Sequence, residues 1–488
     1  MCSSDNQIEA HPALRKLAET VRRELGYFGY YAAPWVRSSA PISDAPVYDV
    51  AIVGAGQNGL GIYQGLKQNG ITNCLIIDES RPMSAGNFVQ YDRMLALRTP
   101  KDLTGLDFGL ASLTFRSFWE AIHPNESWAD LNKVSRTEWS EYLRWYRIAL
   151  EIPVQFEQKL IRLERQNSKL LRLVVKRPSG EDSLYYARSV VMATGFQAEG
   201  VKRLPADIIG DSPRSLWAHA ADPIDFDSLE GKRVAILGHG AGSFDLAAMA
   251  LEAGAESATV YYRRKLMPRV NPFRRLELPG LMANFHELKE QTRWKITWLV
   301  SDRDQPAPEL AMKRATALPG FAVQPGVGWA RLSEKGDALS IQLSDGKRVN
   351  VDFAIFATGF ERRPLERTEL SPLKQEIATW ENFTPPDGYE SEGLKAYPRH
   401  GPGYEFLPSQ SAPDGLVSHI FNFGFSSGLD HGPHNTSISG IHFSLRRVID
   451  GIRTLLTRLD EEAYFEDFAV NPAPEAYLED YPDLIGKQ

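Results

Sequence analysis

Asp49-Val-Ala-Ile-Val-Gly54-Ala-Gly56-Gln-Asn-Gly59 has a second copy in the same chain, Arg233-Val-Ala-Ile-Leu-Gly238-His-Gly240-Ala-Gly242-Ser243. Each is an apolar run, then glycines, then a helical pattern, the layout that receives a dinucleotide. The first glycines close the turn and let backbone approach a pyrophosphate, whose charge sits on the helix N-terminus. Twenty-four residues after the first glycine of each copy the next strand ends, where a ribose is read. The first copy has Asp78 there, a carboxylate suited to a free 2′-hydroxyl. The second has Tyr262 followed by Arg263 and Arg264, whose guanidiniums suit a 2′-phosphate. These readers predict FAD at Gly54, Gly56, Gly59 and Asp78, and NADPH at Gly238, Gly240, Ser243, Arg263 and Arg264. A single glycine-rich turn also arises for packing alone. Two with matched spacing and opposite-charge readers argue against that.

The repetition extends further. After the first β-α-β a strand-rich meander, Val154 to Val191, ends in Ala193-Thr194-Gly195-Phe196; after the second, Phe321 to Ile355 ends in Ala357-Thr358-Gly359-Phe360. Such a duplicated order is an internal repeat of a nucleotide-binding fold. Thr194, Gly195, Thr358 and Gly359 are expected beside the cofactors, in turns where a side chain would collide. The expected fold is α/β: two Rossmann-like dinucleotide-binding domains, the second inserted in the first, with β-meanders and a helical C-terminal segment. The boundaries read as an N-terminal extension, 1–46; an FAD-binding domain, 47–210 and 351–457; an NADP-binding domain, 211–350; and an acidic tail, 458–488.

The chain has 488 residues and a formal net charge of −7, which excludes a nucleic-acid binder. Arg263-Arg264-Lys265 with Arg269, Arg274 and Arg275 is the local basic exception, read beyond its first pair as a solvated face. No apolar stretch approaches the ~18 residues of a bilayer span, and the polar start is no signal peptide, so a cytoplasmic protein without a membrane partner is expected. Cys2 and Cys74 are the only cysteines; so far apart in sequence, with one at the terminus, they are expected to make neither a metal cluster nor a redox pair beside a flavin.

Outside the repeats, Leu14, Leu17, Val21 and Leu25 predict a short amphipathic helix, followed by the aromatic patch Tyr27, Phe28, Tyr30, Tyr31 and Trp35. This extension is expected to pack on the main body; the alternative is a cover over the active site or an interface between copies in a homodimer. Trp139, Tyr142, Leu143, Tyr146 and Leu150 predict a helix over 136–150. The Pro- and Gly-rich stretch from Ser371 to Leu416 reads as a long loop or lid. A strand, Val417 to Phe425, and a helix from about Asn435 to Leu456 follow.

Taken in order, the two fingerprints and two Ala-Thr-Gly turns resemble the class B flavoprotein monooxygenases, over roughly residues 47 to 455. Trp217-Ala-His219, ahead of Gly231-Lys-Arg-Val234, is similar to the linker histidine of those enzymes, though the Baeyer–Villiger signature around it is broken. Leu97-Arg98-Thr-Pro-Lys101 resembles a stretch where flavin-containing members carry an Asn in place of Arg98. His431-Gly432 and Asn435-Thr-Ser-Ile-Ser-Gly440 are similar to the C-terminal stretch of ornithine and lysine N-hydroxylases, where a helix N-terminus faces the flavin. The resemblance implies that NADPH reduces FAD, that O₂ then forms a C4a-hydroperoxyflavin, and that a small polar substrate is hydroxylated, foremost at the nitrogen of an amine or amino acid. Hydroxylation of a heterocycle such as a purine, and an NADPH oxidase or reductase, are the alternatives. Arg98 and Lys101 are the candidate catalytic contacts, His431 and Asn435 candidate cofactor contacts.

Overall fold

β1 (Val47–Val53) and β2 (Cys74–Ile77) pair in parallel around the first fingerprint helix, Gln57–Gln68. β3 (Lys159–Arg165), β4 (Leu171–Lys176) and the long β5 (Asp182–Met192) form the first meander. β6 (Gly200–Lys202) leaves it. β7 (Trp217–His219), β8 (Arg233–Leu237) and β9 (Ser257–Tyr262) then build a second sheet with β10 (Phe321–Pro325). β11 (Trp329–Lys335), β12 (Ala338–Leu343) and β13 (Arg348–Val351) are the second meander, and β14 (Phe353–Phe356) returns to the second sheet. β15 (Phe360–Arg362) pairs with β6, and β16 (Ile420–Asn422) with β5. These coordinates are a computed structural model, and they describe residues 5–29, 33–82, 86, 88, 93–102, 105–195 and 197–470.

The duplication holds down to single hydrogen bonds. Four parallel strands, β2-β1-β5-β16 in one sheet and β9-β8-β14-β7 in the other, carry the two fingerprints. Gly54 N donates to Ile77 O at 2.8 Å and Gly238 N to Tyr261 O at 2.9 Å. Ala193 N donates to Val53 O and Ala357 N to Leu237 O, both at 2.9 Å. The outermost strand, however, comes from opposite directions along the chain: β7 precedes its fingerprint, whereas β16 follows everything else. β5 serves two roles. Its first half pairs antiparallel with β4, while Val190–Met192, fully buried, lie between β1 and β16 as a parallel-sheet core run.

The expected domain boundary at 350/351 needs moving. β14 lies beyond it yet pairs with β8 and β7, fastened by the Arg233–Asp352 ion pair, so the second domain keeps residues 353–356. The chain crosses back at the antiparallel β6–β15 pair. The sequence reading missed this because only Asp352 separates β13 from β14, so the meander and the returning strand run together. Phe196 lies outside the described residues.

The N-terminal helices Asp5–Ala10 and Pro12–Gly26 pack on the helix Arg136–Ala149, as expected for an extension on the main body. Leu14, Ala18 and Val21 are buried, Trp145 Nε1 donates to Leu14 O, and Asp5 pairs with Arg144 and Arg147. In the aromatic patch Tyr27 and Phe28 are exposed and Trp35 donates to Asn69 O, while Tyr30 and Tyr31 lie outside the described residues.

Two expectations are corrected. The stretch 371–416 is no lid: Leu373, Ile377, Trp380, Leu394, Tyr397, Tyr404, Phe406 and Leu416 are all buried. Its apolar residues lack any period because single bridges, such as Ile377 to Pro408 and Thr379 to Pro398, hold it, with no helix longer than the single turn Glu392–Lys395. The C-terminal helix begins at Ile441, runs to Leu459, and leaves Asn435 outside it. Gly432, Pro433 and Gly440 explain the delay; Gly432 has φ +97° and Pro433 removes a donor. Of the acidic tail, Glu461–Val470 is a helix with no buried residue, and 471–488 lie outside the described residues.

Between β9 and β10 the second domain carries an insertion that includes the helices Glu290–Arg303 and Glu309–Thr316. Trp294 Nε1 donates to Tyr389 O, and Trp294 packs with Trp380 and Phe383. The insertion thereby spans both domains.

Candidate active site

Ligands of open α/β sheets bind outside the carboxyl ends of the strands. At the first such edge Gly54 has φ +104°, and a β-carbon on it would meet Ala193 O at 2.4 Å. Gly59 packs the helix onto the turn: its β-carbon would meet Gly54 O at 1.8 Å. Gly56 caps the helix with extended backbone, and a β-carbon there would meet only Gly86 Cα, at 3.8 Å. Asp78 is buried, accepting from Ala55 N at 2.7 Å and Ser80 N at 2.8 Å, so its carboxylate braces the glycine turn. Gly195 has φ +75°. Around the same edge Thr194 Oγ1, Gln57 Oε1 and Asn58 Oδ1 are buried without a hydrogen-bond partner. Buried polar atoms of this kind call for a partner, and a flavin nucleotide on the turn fits the set.

At the second edge Gly238 has φ +141°, with a β-carbon clash of 2.3 Å against Ala357 O. Around Gly240 nothing stands within 4 Å of a β-carbon, and Ser243 Oγ is buried and unpartnered. Arg263 and Arg264 are exposed just past β9. Arg264 Nη2 holds Asp304 Oδ2 at 2.7 Å, and His239 Nε2 stands 3.4 Å from the same oxygen. Thr358 Oγ1 donates to Arg203 O, and Gly359, at φ +73°, accepts from Arg203 N. His219 Nδ1 accepts from Ala221 N, which leaves Nε2 as the donor to Gly359 O at 3.0 Å. Burial lowers this imidazole's pKa, so a neutral ring fastens β7 to the turn after β14.

The segment after β16 closes the junction. Asn435 Nδ2 donates to Ser427 Oγ and to Gly424 O, pinning its own loop. His431 is buried, stacked on Tyr404 at 3.7 Å, with Nε2 on Gly401 O and Nδ1 unpartnered. Burial holds its pKa well below the ordinary value, helped by His400 and Arg447. Neither residue sits at a helix start. The carbonyl of Thr436 instead faces the first fingerprint helix, accepting from Gln57 Nε2 and Asn58 Nδ2. Beneath this loop Asp430 receives Arg293 at 2.8 Å together with His400 N and Nδ1, and Asn422, Ser426 and Glu199 continue the buried network.

Arg98 and Lys101, the candidate catalytic contacts, turn to different partners. Lys101 Nζ is occupied by the carbonyls of Trp128 and Ala129. Arg98 reaches across to the insertion, where Nη1 donates to Gln305 Oε1 at 2.6 Å. It lines an interdomain cavity of about 660 Å³ with Lys133 from the first domain and Asn271, Arg274 and Ala307 from the second. That volume suits a small ligand. Sequence reading missed Lys133, Asn271 and Gln305, which no spacing links to Arg98; Arg274 was visible only as part of the basic run.

Residues 51–299 match the family described as pyridine nucleotide-disulphide oxidoreductase. The chain is 36% identical over 460 residues to a FAD-dependent urate hydroxylase of Xanthomonas campestris pv. campestris, covering 93% of this chain and 96% of that one. An ornithine hydroxylase from Pseudomonas aeruginosa shares the fold with a TM-score of 0.66 at 16% identity, covering 84% of this chain and 100% of that one. An ornithine N-hydroxylase from Kutzneria sp. 744 does so at 0.64 and 15%, covering 84% and 99%. Despite the family's name, Cys74 lies on β2 with its thiol pushed up by burial, and Cys2 lies outside the described residues. The chain belongs to the pyridine nucleotide-disulphide oxidoreductase family and, with the urate hydroxylase that it matches over nearly its whole length, to the flavoprotein monooxygenases.

Proposed function

We propose that this chain binds FAD at the first strand edge and NADPH at the second, and uses O₂ to hydroxylate a small polar substrate in the cleft beside Arg98. The observation that carries the reading is the pair of equivalent glycine turns in one chain, each closed against an alanine carbonyl. FAD, when bound and reduced, supplies the oxygen chemistry. Asp78, already holding the first turn, accepts the ribose hydroxyl with its remaining lone pairs. Gly54, Gly56 and Gly59 admit the pyrophosphate, and Thr194 and Gly195 border it. Arg263 and Arg264 read the 2′-phosphate beyond Gly238, Gly240 and Ser243, while Thr358 and Gly359 shape the turn beside the nicotinamide nucleotide. His431 and Asn435 hold the loop that closes the junction. Arg98 orients the substrate, and Ala307 with its neighbouring prolines limits water.

For the substrate, a purine-type heterocycle is favoured over an amine, because the relative at 36% identity is named a urate hydroxylase. The ornithine enzymes, at 15–16% identity, support the fold alone. The test is NADPH consumption with urate, other purines and small amines, with H₂O₂ measured in parallel. Product formed one-to-one with NADPH supports the reading. Stoichiometric H₂O₂ that no compound suppresses makes the chain an oxidase instead.

A further inference from the structure

The carbonyl oxygen of Arg98 accepts from two cations of different domains. Lys133 Nζ stands 3.3 Å from it and Arg274 Nη2 stands 3.5 Å from it. Lys133 belongs to the loop before the helix Arg136–Ala149, Arg274 to the second domain's insertion. Both line the interdomain cavity. A backbone carbonyl carries no net charge, so it joins the two cations without neutralising either. The neighbouring carboxylates do not do so fully. Glu309, in the same wall, is held by Lys313 at 2.7 Å, and Glu277 faces the other side of the Arg274 guanidinium at 3.3 Å. Burial and the nearby Arg274 charge lower the pKa of Lys133, with Glu277 opposing. Two like charges brought together in a half-buried recess repel each other, and an anion between them reverses the sign of the interaction.

We infer that this cleft selects a substrate bearing a negative charge, and that Lys133 and Arg274, one from each domain, hold that charge. The inference rests on the placement of the substrate in the Arg98 cleft. A bound anion accepts from both cations in charge-assisted hydrogen bonds, stronger than those the carbonyl offers. It also ties the first domain to the insertion of the second. Two substrate chemistries satisfy this requirement: an acidic heterocycle ionised at neutral pH, and the carboxylate of an amino acid. A neutral purine can accept a hydrogen bond from either cation but, like the Arg98 carbonyl, neutralises neither.

Titration calorimetry on the oxidised FAD-loaded protein tests this without turnover, using urate (an anion at neutral pH), hypoxanthine (uncharged there) and L-ornithine. Wild-type protein is expected to bind at least one of the two anionic-group ligands about tenfold or more tightly than hypoxanthine; which of the two identifies the source of the charge. Lys133→Gln and Arg274→Gln should each raise that Kd about tenfold, as for loss of one charge-assisted hydrogen bond, and Lys133→Arg should restore most of it. The exposed Lys347→Gln is the control and should change nothing. Equal affinity for urate, ornithine and hypoxanthine overturns the inference. So do variants with unaltered anion Kd, or a loss that falls on NADPH binding instead, which would assign the cations to the nicotinamide nucleotide. Failure to hydroxylate with charge selection intact would sink the proposed function alone; hydroxylation without charge selection would sink this inference alone.

Discussion

The carbonyl oxygen of Ala193 stands 2.4 Å from the position a β-carbon on Gly54 would take, and the same contact, at 2.3 Å, relates Ala357 to Gly238. In each half the strand that ends in Ala-Thr-Gly is the wall against which the fingerprint turn is folded. Both glycines also have φ beyond +100°, where an L side chain is strained. Gly54→Ala should therefore cost at least about 2 kcal/mol and yield protein short of FAD. Gly238→Ala should keep its FAD and lose NADPH affinity. Flavin-to-protein ratio and the KM for NADPH, measured on both variants, separate the two edges.

Arg264 must leave a partner to read a phosphate, since Asp304 holds it at 2.7 Å. Both side chains are well exposed, so the competition is mild. Asp304→Asn should lower the KM for NADPH about twofold to fivefold and leave that for NADH unchanged. Arg263→Ala with Arg264→Ala should raise the NADPH value far more than the NADH value. Steady-state kinetics with both nucleotides check this, and equal effects on the two would remove the pair from 2′-phosphate recognition.

Arg293 and Asp430 form a buried pair, at 11% and 3% side-chain exposure, between the insertion and the closing loop. Removing one partner of such a pair leaves a buried charge uncompensated, at about 3–5 kcal/mol. Arg293→Ala should lose stability of that order in denaturant unfolding. Adding Asp430→Asn should recover part of the loss, because the buried charge is then gone.

His431 gives the protein a defined acid sensitivity. Its folded pKa lies well below the ordinary histidine value of about 6.5, mainly through burial. The folded state thus holds the neutral ring while the unfolded state takes up the proton. Its contribution to stability is full above about pH 6.5 and is lost as pH falls below it. The thermal midpoint should drop between pH 7.5 and 5.5, and His431→Gln should flatten that slope by up to roughly 1.4 kcal/mol per pH unit. An unchanged slope would mean that the ring takes up its proton as readily in the fold as in the unfolded chain.

Much of this architecture was legible in the chain because glycine turns and apolar strands write local rules. The two glycine turns and the helix over 136–150 depend on neighbours within a few residues or on one periodicity, and the positions of Asp78 and Arg263–Arg264 follow from the fixed length of a β-α-β unit. What escaped depends on distant partners. β7 is a three-residue strand, buried beside β14, and of the strand expected over 417–425 only Ile420–Asn422 pair, beside β5. The 371–416 stretch looked like a lid, since Pro and Gly signal irregularity whether or not the irregular chain is packed. Lys101 and Arg98 were both candidate catalytic contacts, yet their side chains turn to Trp128 and Gln305 respectively. Lys133 and Arg274 meet only through tertiary structure.

The most direct measurement starts from the purified protein: its visible spectrum, then anaerobic addition of NADPH or NADH. The account predicts a yellow protein with about one FAD per chain, bleached by NADPH at far lower concentration than by NADH. A colourless protein that takes up no FAD when incubated with excess, or a bound flavin that NADPH leaves oxidised, would contradict it.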